Sequence, residues 1–162
     1  MTEKEKVCSL LDAFGISWER ADHPPMHSVT DMLGSGLTER GCVARNLFLR
    51  DAKGRSHYLV VVKWDKAVDM RHLRGLLNST RLSFASEARM MRYLGVHPGS
   101  VSPFGILNDA SCAVRVYIDR ELTLAPAIGV HPNDNTSTLY LAPEALLRVI
   151  REHGNPLEII DL

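Results

Sequence analysis

The sequence predicts an α+β fold, a mixed β-sheet packed by helices, in a single domain spanning residues 1–162. Strand-like segments outnumber helical ones, and several follow each other with no helix between them. The strict β-α-β alternation of a doubly wound sheet is therefore absent. At 162 residues, with 45% hydrophobic and 23% charged side chains, the chain is long enough to bury a sizeable core.

Thr2 and Glu5 have capping-box spacing, and Val7, Leu10, Leu11 and Phe14 recur at helical intervals before Gly15, so a helix opens the chain. Ile16 to Ala21 reads as a short strand ended by the turn Asp22-His23-Pro24-Pro25. Ser28 can cap a helix reaching Leu33, and Gly34, Gly36 and Gly41 mark the loop after it. Asn46–Arg50 and His57–Lys63 are the clearest strands, joined as a hairpin through Asp51-Ala52-Lys53-Gly54. Asp69 caps a helix with Met70, Leu73, Leu76 and Leu77 on one face. Ser86 begins another, with Ala88, Met91 and Leu94 inward and Gly95 as its stop. Ala113–Ile118 is a strand with Val114, Val116 and Ile118 alternating against Arg115 and Tyr117. Glu121–Leu124 and Ser137–Leu141 add two more. Pro143 suits the first turn of a last helix that ends at Gly154, and Leu157–Ile160 closes the chain as a strand.

Nineteen basic and nineteen acidic residues cancel, so no global field draws the chain to DNA, RNA or a membrane surface. Fourteen of the nineteen cations are arginine, which favours forked contacts to phosphate or carboxylate. Met-Thr-Glu-Lys-Glu-Lys has no apolar signal core, and Cys8, Cys42 and Cys112 form no Cys-x-x-Cys pair. A cytoplasmic location with reduced thiols is expected.

Residues 95–109 are the most informative stretch. Three glycines and two prolines are interleaved with Val, Phe, Ile and Leu and almost no charge. A tightly shaped, partly apolar backbone of this kind suits a pocket wall, and it equally suits a buried structural connection. His23 and His27 stand four apart, but Pro24 and Pro25 lie between them and no third ligand is evident, so no metal site is expected. His131, followed by Pro132 and near Asn133 and Asn135, can present its ring to a ligand or cap a turn. Arg45-Asn46 falls at the lip of a strong strand, where a solvated arginine is the common alternative. No Gly-x-Ser-x-Gly elbow, phosphate loop or His-Glu-x-x-His motif is present, and no nucleophile–base pair can be assigned.

Four segments in register carry a resemblance. They are Arg45 to Asp51, Leu82 to Glu87, Leu94 to Asp109 with its Gly99-x-x-x-Pro103, and Gly129-Val130-His131-Pro132 with Asn135 and Thr138. Together they resemble the YbaK/ProX family, stand-alone relatives of the editing domain inserted in bacterial prolyl-tRNA synthetases. The likeness spans roughly residues 20–150.

It implies a curved mixed sheet surrounded by helices, and hydrolysis of the ester joining a wrong amino acid to the 3′ adenosine of a tRNA, without a cofactor. The expected substrate is tRNA for proline charged with alanine or another small amino acid. By the same resemblance Gly99, His131, Arg45 and Asn46 carry the chemistry. Ser100, Val101, Ser102, Pro103, Phe104, Met32 and Val29 bind the substrate. The expected partners are the 3′ end of aminoacyl-tRNA and a prolyl-tRNA synthetase. The family commonly has lysine where this chain has Arg45. That departure keeps two alternatives open, a cysteinyl-tRNA(Pro) deacylase and a non-catalytic sensor with the same pocket.

Overall fold

A computed structural model describes all residues, Met1–Leu162. The elements, in chain order, are α1 (Glu3–Ala13), β1 (Trp18–Asp22), α2 (Val29–Leu33), β2 (Cys42–Arg50) and β3 (His57–Lys63). They continue with α3 (Met70–Leu76), β4 (Ser83–Phe84), α4 (Glu87–Leu94), β5 (Val114–Asp119) and α5 (Arg120–Thr123). β6 (Ile128–Val130), β7 (Ser137–Leu141), α6 (Pro143–His153) and β8 (Leu157–Ile160) complete the chain. Short 3₁₀ turns cover Leu37–Glu39 and Pro103–Asn108.

The strands form one curved mixed sheet in the order β1-β7-β6-β2-β3-β5-β8, with β4 added beside β2. β2–β3, β1–β7 and β6–β7 are antiparallel, while β2–β6, β3–β5 and β5–β8 are parallel. The α+β expectation holds.

Strand β2 organises the interior because its side chains alternate between faces. Ala44 and Phe48 enter the larger core, with Val7 and Leu11 of α1, Leu94 of α4, Phe104, and Leu146 and Ile150 of α6. Leu47 and Leu49 enter a second core that Leu73 and Leu77 cover from the other side.

The caps read from sequence are present. Thr2 and Glu5 form a reciprocal capping box, Ser28 accepts from the Asp31 amide, and Asp69 accepts from the amides of Arg71 and His72. Gly95 and Gly154 end their helices with φ of 65° and 110°, values that favour glycine.

Four expectations require correction. Glu121–Leu124 is not a strand. β5 loses its neighbours after Ile118 and Asp119, and Arg120–Thr123 coils into α5, where Thr123 Oγ1 donates to the Arg120 carbonyl. Tyr117 is buried rather than solvated, because the α3 side of the sheet is also covered. On α4, Ala88 and Met91 face outward, while Met90 and Tyr93 accompany Leu94 against the core. Arg45 and Asn46 lie within β2, not at its lip, since β2 begins earlier, at Cys42, to pair with β6.

Two short strands, β4 and β6, have no clear sequence signature. Two or three residues cannot display a period of two.

Candidate active site

β2 pairs with β6 only through Cys42 and Val43, and with β4 only through Leu49 and Arg50. Between those points the sheet parts on that side of β2. A cavity of about 420 Å³ lies here, bounded by β2, the α2 segment, the 99–101 loop and the turn after β6. Strand pairing, not any local motif, brings these distant segments together.

Arg45, Asn46, Gly99, Val101, His131, Val29 and Met32 line the cavity. Arg45 is exposed, and its guanidinium donates to the Lys66 carbonyl at 2.8 Å. Lys66 is itself held by buried Asp119 at 2.6 Å, a contact that raises the lysine pKa. One arginine nitrogen is thus anchored on a fixed carbonyl.

Asn46 Nδ2 donates to the Val101 carbonyl at 3.1 Å and pins the loop to the sheet. Asn135 Nδ2 donates to the Met26 carbonyl at 3.3 Å and ties the turn after β6 to the segment leading into α2. The Oδ1 atoms of both asparagines are buried and accept nothing. A buried polar group left unpaired costs about 1–3 kcal/mol. Both oxygens are closed off from solvent, so each asparagine turns its amide nitrogen to a carbonyl while its oxygen lies within the protein behind the cavity wall.

The main-chain amides of Gly99 and Val101 make no hydrogen bond within the protein. Gly99 has φ of +87°, and a Cβ there would meet only Asn135 Nδ2, at 3.6 Å. Backbone angle, more than crowding, selects glycine here.

His131 Nδ1 lies 3.2 Å from the Ser137 carbonyl. A carbonyl can only accept, so Nδ1 carries the proton and Nε2 keeps its lone pair. Burial holds the His131 pKa below the ordinary histidine value, and the neighbouring His23 adds to that. The ring is a neutral acceptor at pH 7.

His23 spends both nitrogens on structure. Nδ1 donates to the Pro24 carbonyl at 2.8 Å, and Nε2 accepts from Thr138 Oγ1 at 2.9 Å.

The remaining expected residues lie elsewhere. Ser102, Pro103 and Phe104 are buried and do not line the cavity. Ser102 Oγ donates to the His131 carbonyl and accepts from the Phe104 amide, so it braces the histidine turn from behind. Ser100 is half-buried and also lies outside the lining. Trp64, Ala44 and Met26 line the cavity although no sequence signal pointed to them; His27, weighed in the sequence only as a metal ligand, and Ser28, read only as a helix cap, line it too, and Asn135 joins them from the fourth matching segment. Trp64 was out of reach of sequence reasoning because it enters where β3 ends, after the hairpin folds back.

Residues 23–149 match the profile of the aminoacyl-tRNA editing domain. The chain belongs to the aminoacyl-tRNA editing domain family.

Among curated relatives of this editing domain is the prolyl-tRNA editing protein ProX of Acetoanaerobium sticklandii. It is 40% identical over 162 residues, covering all of this chain and 99% of the relative. The prolyl-tRNA synthetase associated domain-containing protein 1 of Danio rerio is 33% identical over 92% of this chain and 82% of its own length. A crystal structure of a candidate trans-editing enzyme for prolyl-tRNA synthetase superposes with a TM-score of 0.76 at 19% identity, covering 100% and 97% of the two chains. A scaffold protein carrying a grafted epitope superposes at 0.77 and 20% identity, with the same coverage. At those identities the two structures speak for the editing-domain fold alone.

Proposed function

We propose that this protein is a stand-alone editing hydrolase. It cleaves the ester of a mischarged aminoacyl-tRNA, with alanine or another small residue on tRNA for proline as substrate. The observation that carries this reading is the set of unmatched polar groups gathered at the split in the sheet. Amide donors at Gly99 and Val101 and the neutral ring of His131 belong to residues around one cavity. An aminoacyl-adenosine end offers the complements: a carbonyl oxygen and ribose hydroxyls. We read residues 1–162 as one editing unit working in the cytoplasm, with a prolyl-tRNA synthetase as the source of its substrate. No helix is long and apolar enough to cross a membrane.

In the reaction, water adds to the ester carbonyl carbon. The bond from that carbon to the ribose oxygen breaks, and a proton returns to the ribose. Free amino acid and uncharged tRNA leave. The His131 ring has no side-chain hydroxyl or thiol as a hydrogen-bond partner. The chain's contribution is then positioning, plus amide donors for the negative charge that grows on the carbonyl oxygen. Neutral His131 Nε2 can accept from a ribose hydroxyl, and Arg45 can pair with a phosphate of the terminal nucleotides.

The test is a deacylation panel: tRNA for proline charged with alanine, serine, cysteine or proline, each with a no-enzyme control. The expected result is release of a small residue with proline spared. Preferential cysteine release would move the substrate assignment, and absence of turnover on every substrate would overturn the hydrolase reading.

A further inference from the structure

Helix α1 precedes the stretch that matches the editing-domain profile, which begins at residue 23. Its buried side chains, Val7 and Leu11, account for its packing on the core. Its first turn has a different task. Glu3 and Lys4 are half-buried there, and both reach the turn that follows β6.

Glu3 joins two segments that flank the cavity. Its Oε2 accepts from Asn108 Nδ2 at 3.2 Å and from Asn133 Nδ2 at 3.3 Å. Asn108 ends the 3₁₀ segment that starts at Pro103, and Asn133 lies two residues after His131. Burial pushes the Glu3 pKa up, but the two amide donors and Lys6 outweigh it and hold the group below the usual carboxylate range. Lys4 Nζ donates to Thr136 Oγ1 at 3.2 Å and stands 3.6 Å from the Asp134 carboxylate. Hydrogen bonds to an ionised group are stronger than neutral ones.

The turn itself is tightly wound. Asn133 takes φ of +59°, a left-handed conformation that asparagine adopts more readily than most residues. Asp134 accepts from both the amide and the hydroxyl of Thr136. Residues of the turn divide their contacts. His131 and Asn135 line the cavity, while Asn133, Asp134 and Thr136 meet α1. Ser102 and the Phe104 carbonyl hold the turn from the neighbouring loop, and Glu3 and Lys4 hold it from the helix.

We propose that Lys4, with Glu3 beside it, is a positioning residue that sets His131 for the editing reaction by fixing the turn on which the histidine sits. The proposal rests on the editing reading of the cavity. Lys4 also governs the charge near the ring. Around His131 stand His23, its ring centroid 6.4 Å away, Asp134 on the same turn, Lys4 paired with Asp134, and Arg45 in the cavity wall. Asp22 at the end of β1 accepts from Ser137 Oγ. Burial and His23 hold the imidazole neutral, and the Ser137 carbonyl and the charge of Asp134 work against them. Pairing with Lys4 blunts the Asp134 charge. Without that ammonium the carboxylate acts unopposed, and His131 takes up its proton at a higher pH.

The experiment compares wild type with Lys4→Met, Lys4→Arg and the double variant Lys4→Met/Asp134→Asn. Val7→Ala, which loosens α1 in the core, is the control. Melting temperatures establish that each variant is folded. NMR follows the His131 imidazole through a pH titration without substrate, and single-turnover deacylation of alanine from tRNA for proline gives the rate against pH. In Lys4→Met the His131 midpoint should rise, and the acid limb of the rate profile should move up with it. Its plateau rate should fall roughly two- to fivefold, the worth of one partly exposed ion pair. Lys4→Arg should restore both midpoint and rate. The double variant, with both charges gone, should bring the midpoint back toward the wild-type value. Val7→Ala should lower the melting temperature and leave the midpoint in place.

An unmoved His131 midpoint in folded Lys4→Met overturns the proposal. So does a rate loss that only matches Val7→Ala at an equal drop in melting temperature, which would leave α1 as a brace for the core. A midpoint that shifts in a protein hydrolysing no aminoacyl-tRNA would overturn the editing reading and leave the coupling of Lys4 to His131 standing.

Discussion

Gly99 and Val101 line the cavity, whereas Ser102, Pro103, Phe104 and Ile106, next in the same loop, are buried in the core beneath it. The first part leaves the amides of Gly99 and Val101 without partners within the protein. The second packs against α4 and α6 and braces the carbonyl of His131 through Ser102. The contrast shows how a loop at the cavity wall is kept in position. Residues at the cavity wall leave backbone groups free, and the apolar side chains that follow fix where that backbone runs. Damage to the two parts should therefore differ in kind, stability in one and turnover in the other.

The largest effect is expected from the buried part. Phe104 is fully enclosed, and Phe104→Ala should lower unfolding free energy by about 3–5 kcal/mol. Urea titration measures this. A loss below about 1 kcal/mol would mean that the loop is not anchored through Phe104.

Gly99→Val should act the other way round. A φ of +87° is strained for a β-branched residue, costing on the order of 1–3 kcal/mol, and the added methyl groups enter a space bounded by Asn135. Turnover should fall more than tenfold while the melting transition stays cooperative. A variant that unfolds would assign Gly99 to the structural part, and a fully active one would remove it from the ligand's path.

His131→Ala should slow deacylation by roughly ten- to a hundredfold, the equivalent of one or two hydrogen bonds lost in the transition state. His131→Gln, which keeps a donor and an acceptor, should recover part of it. The same residue has a pH signature. Its folded pKa is depressed by burial, so the unfolded chain takes up this proton first as pH falls. The stability that depends on a neutral ring is whole above about pH 6.5 and is lost as pH drops through the lower folded value. Wild type should therefore lose stability below about pH 6.5 more steeply than His131→Gln. Parallel curves would mean that His131 titrates as it does in the unfolded chain.

The smallest effect belongs to Arg45, exposed at the cavity margin. Arg45→Ala should make the salt dependence of tRNA binding shallower by about one, and Arg45→Lys should retain most of it. Identical slopes for wild type and Arg45→Ala would leave Arg45 as a strand residue held only by the Lys66 carbonyl.

Much of this molecule was legible one element at a time. The capping box at Thr2 and Glu5, the Ser28 and Asp69 caps, the β2–β3 hairpin and the Gly154 stop are local devices, set by residues within a few positions of one another. The four segments in register likewise carried the family, because a site built from separate segments leaves a trace in each. Exposure was not legible in the same way. Ala88 and Met91 alternate as plausibly inward as Met90 and Tyr93 until α4 is laid on the sheet, and Tyr117 reads as outward until α3 covers the second face.

The cavity belongs to the tertiary structure alone. It opens because β2 holds β6 at one end and β4 at the other, leaving a gap that Val101, His131, Met32 and Trp64 reach from four directions. Sequence alone determined the helix caps, the hairpin, the glycine that takes positive φ at position 99, and the arginine that stands at 45. Tertiary structure decided that Ser102 and Phe104 support the cavity rather than line it, and that Asn46 and Asn135 keep unpaired oxygens around it. The physical reason is range. Caps and turns are settled by bonds spanning a few residues, while burial and hydrogen-bond satisfaction depend on what strand pairing brings from far along the chain.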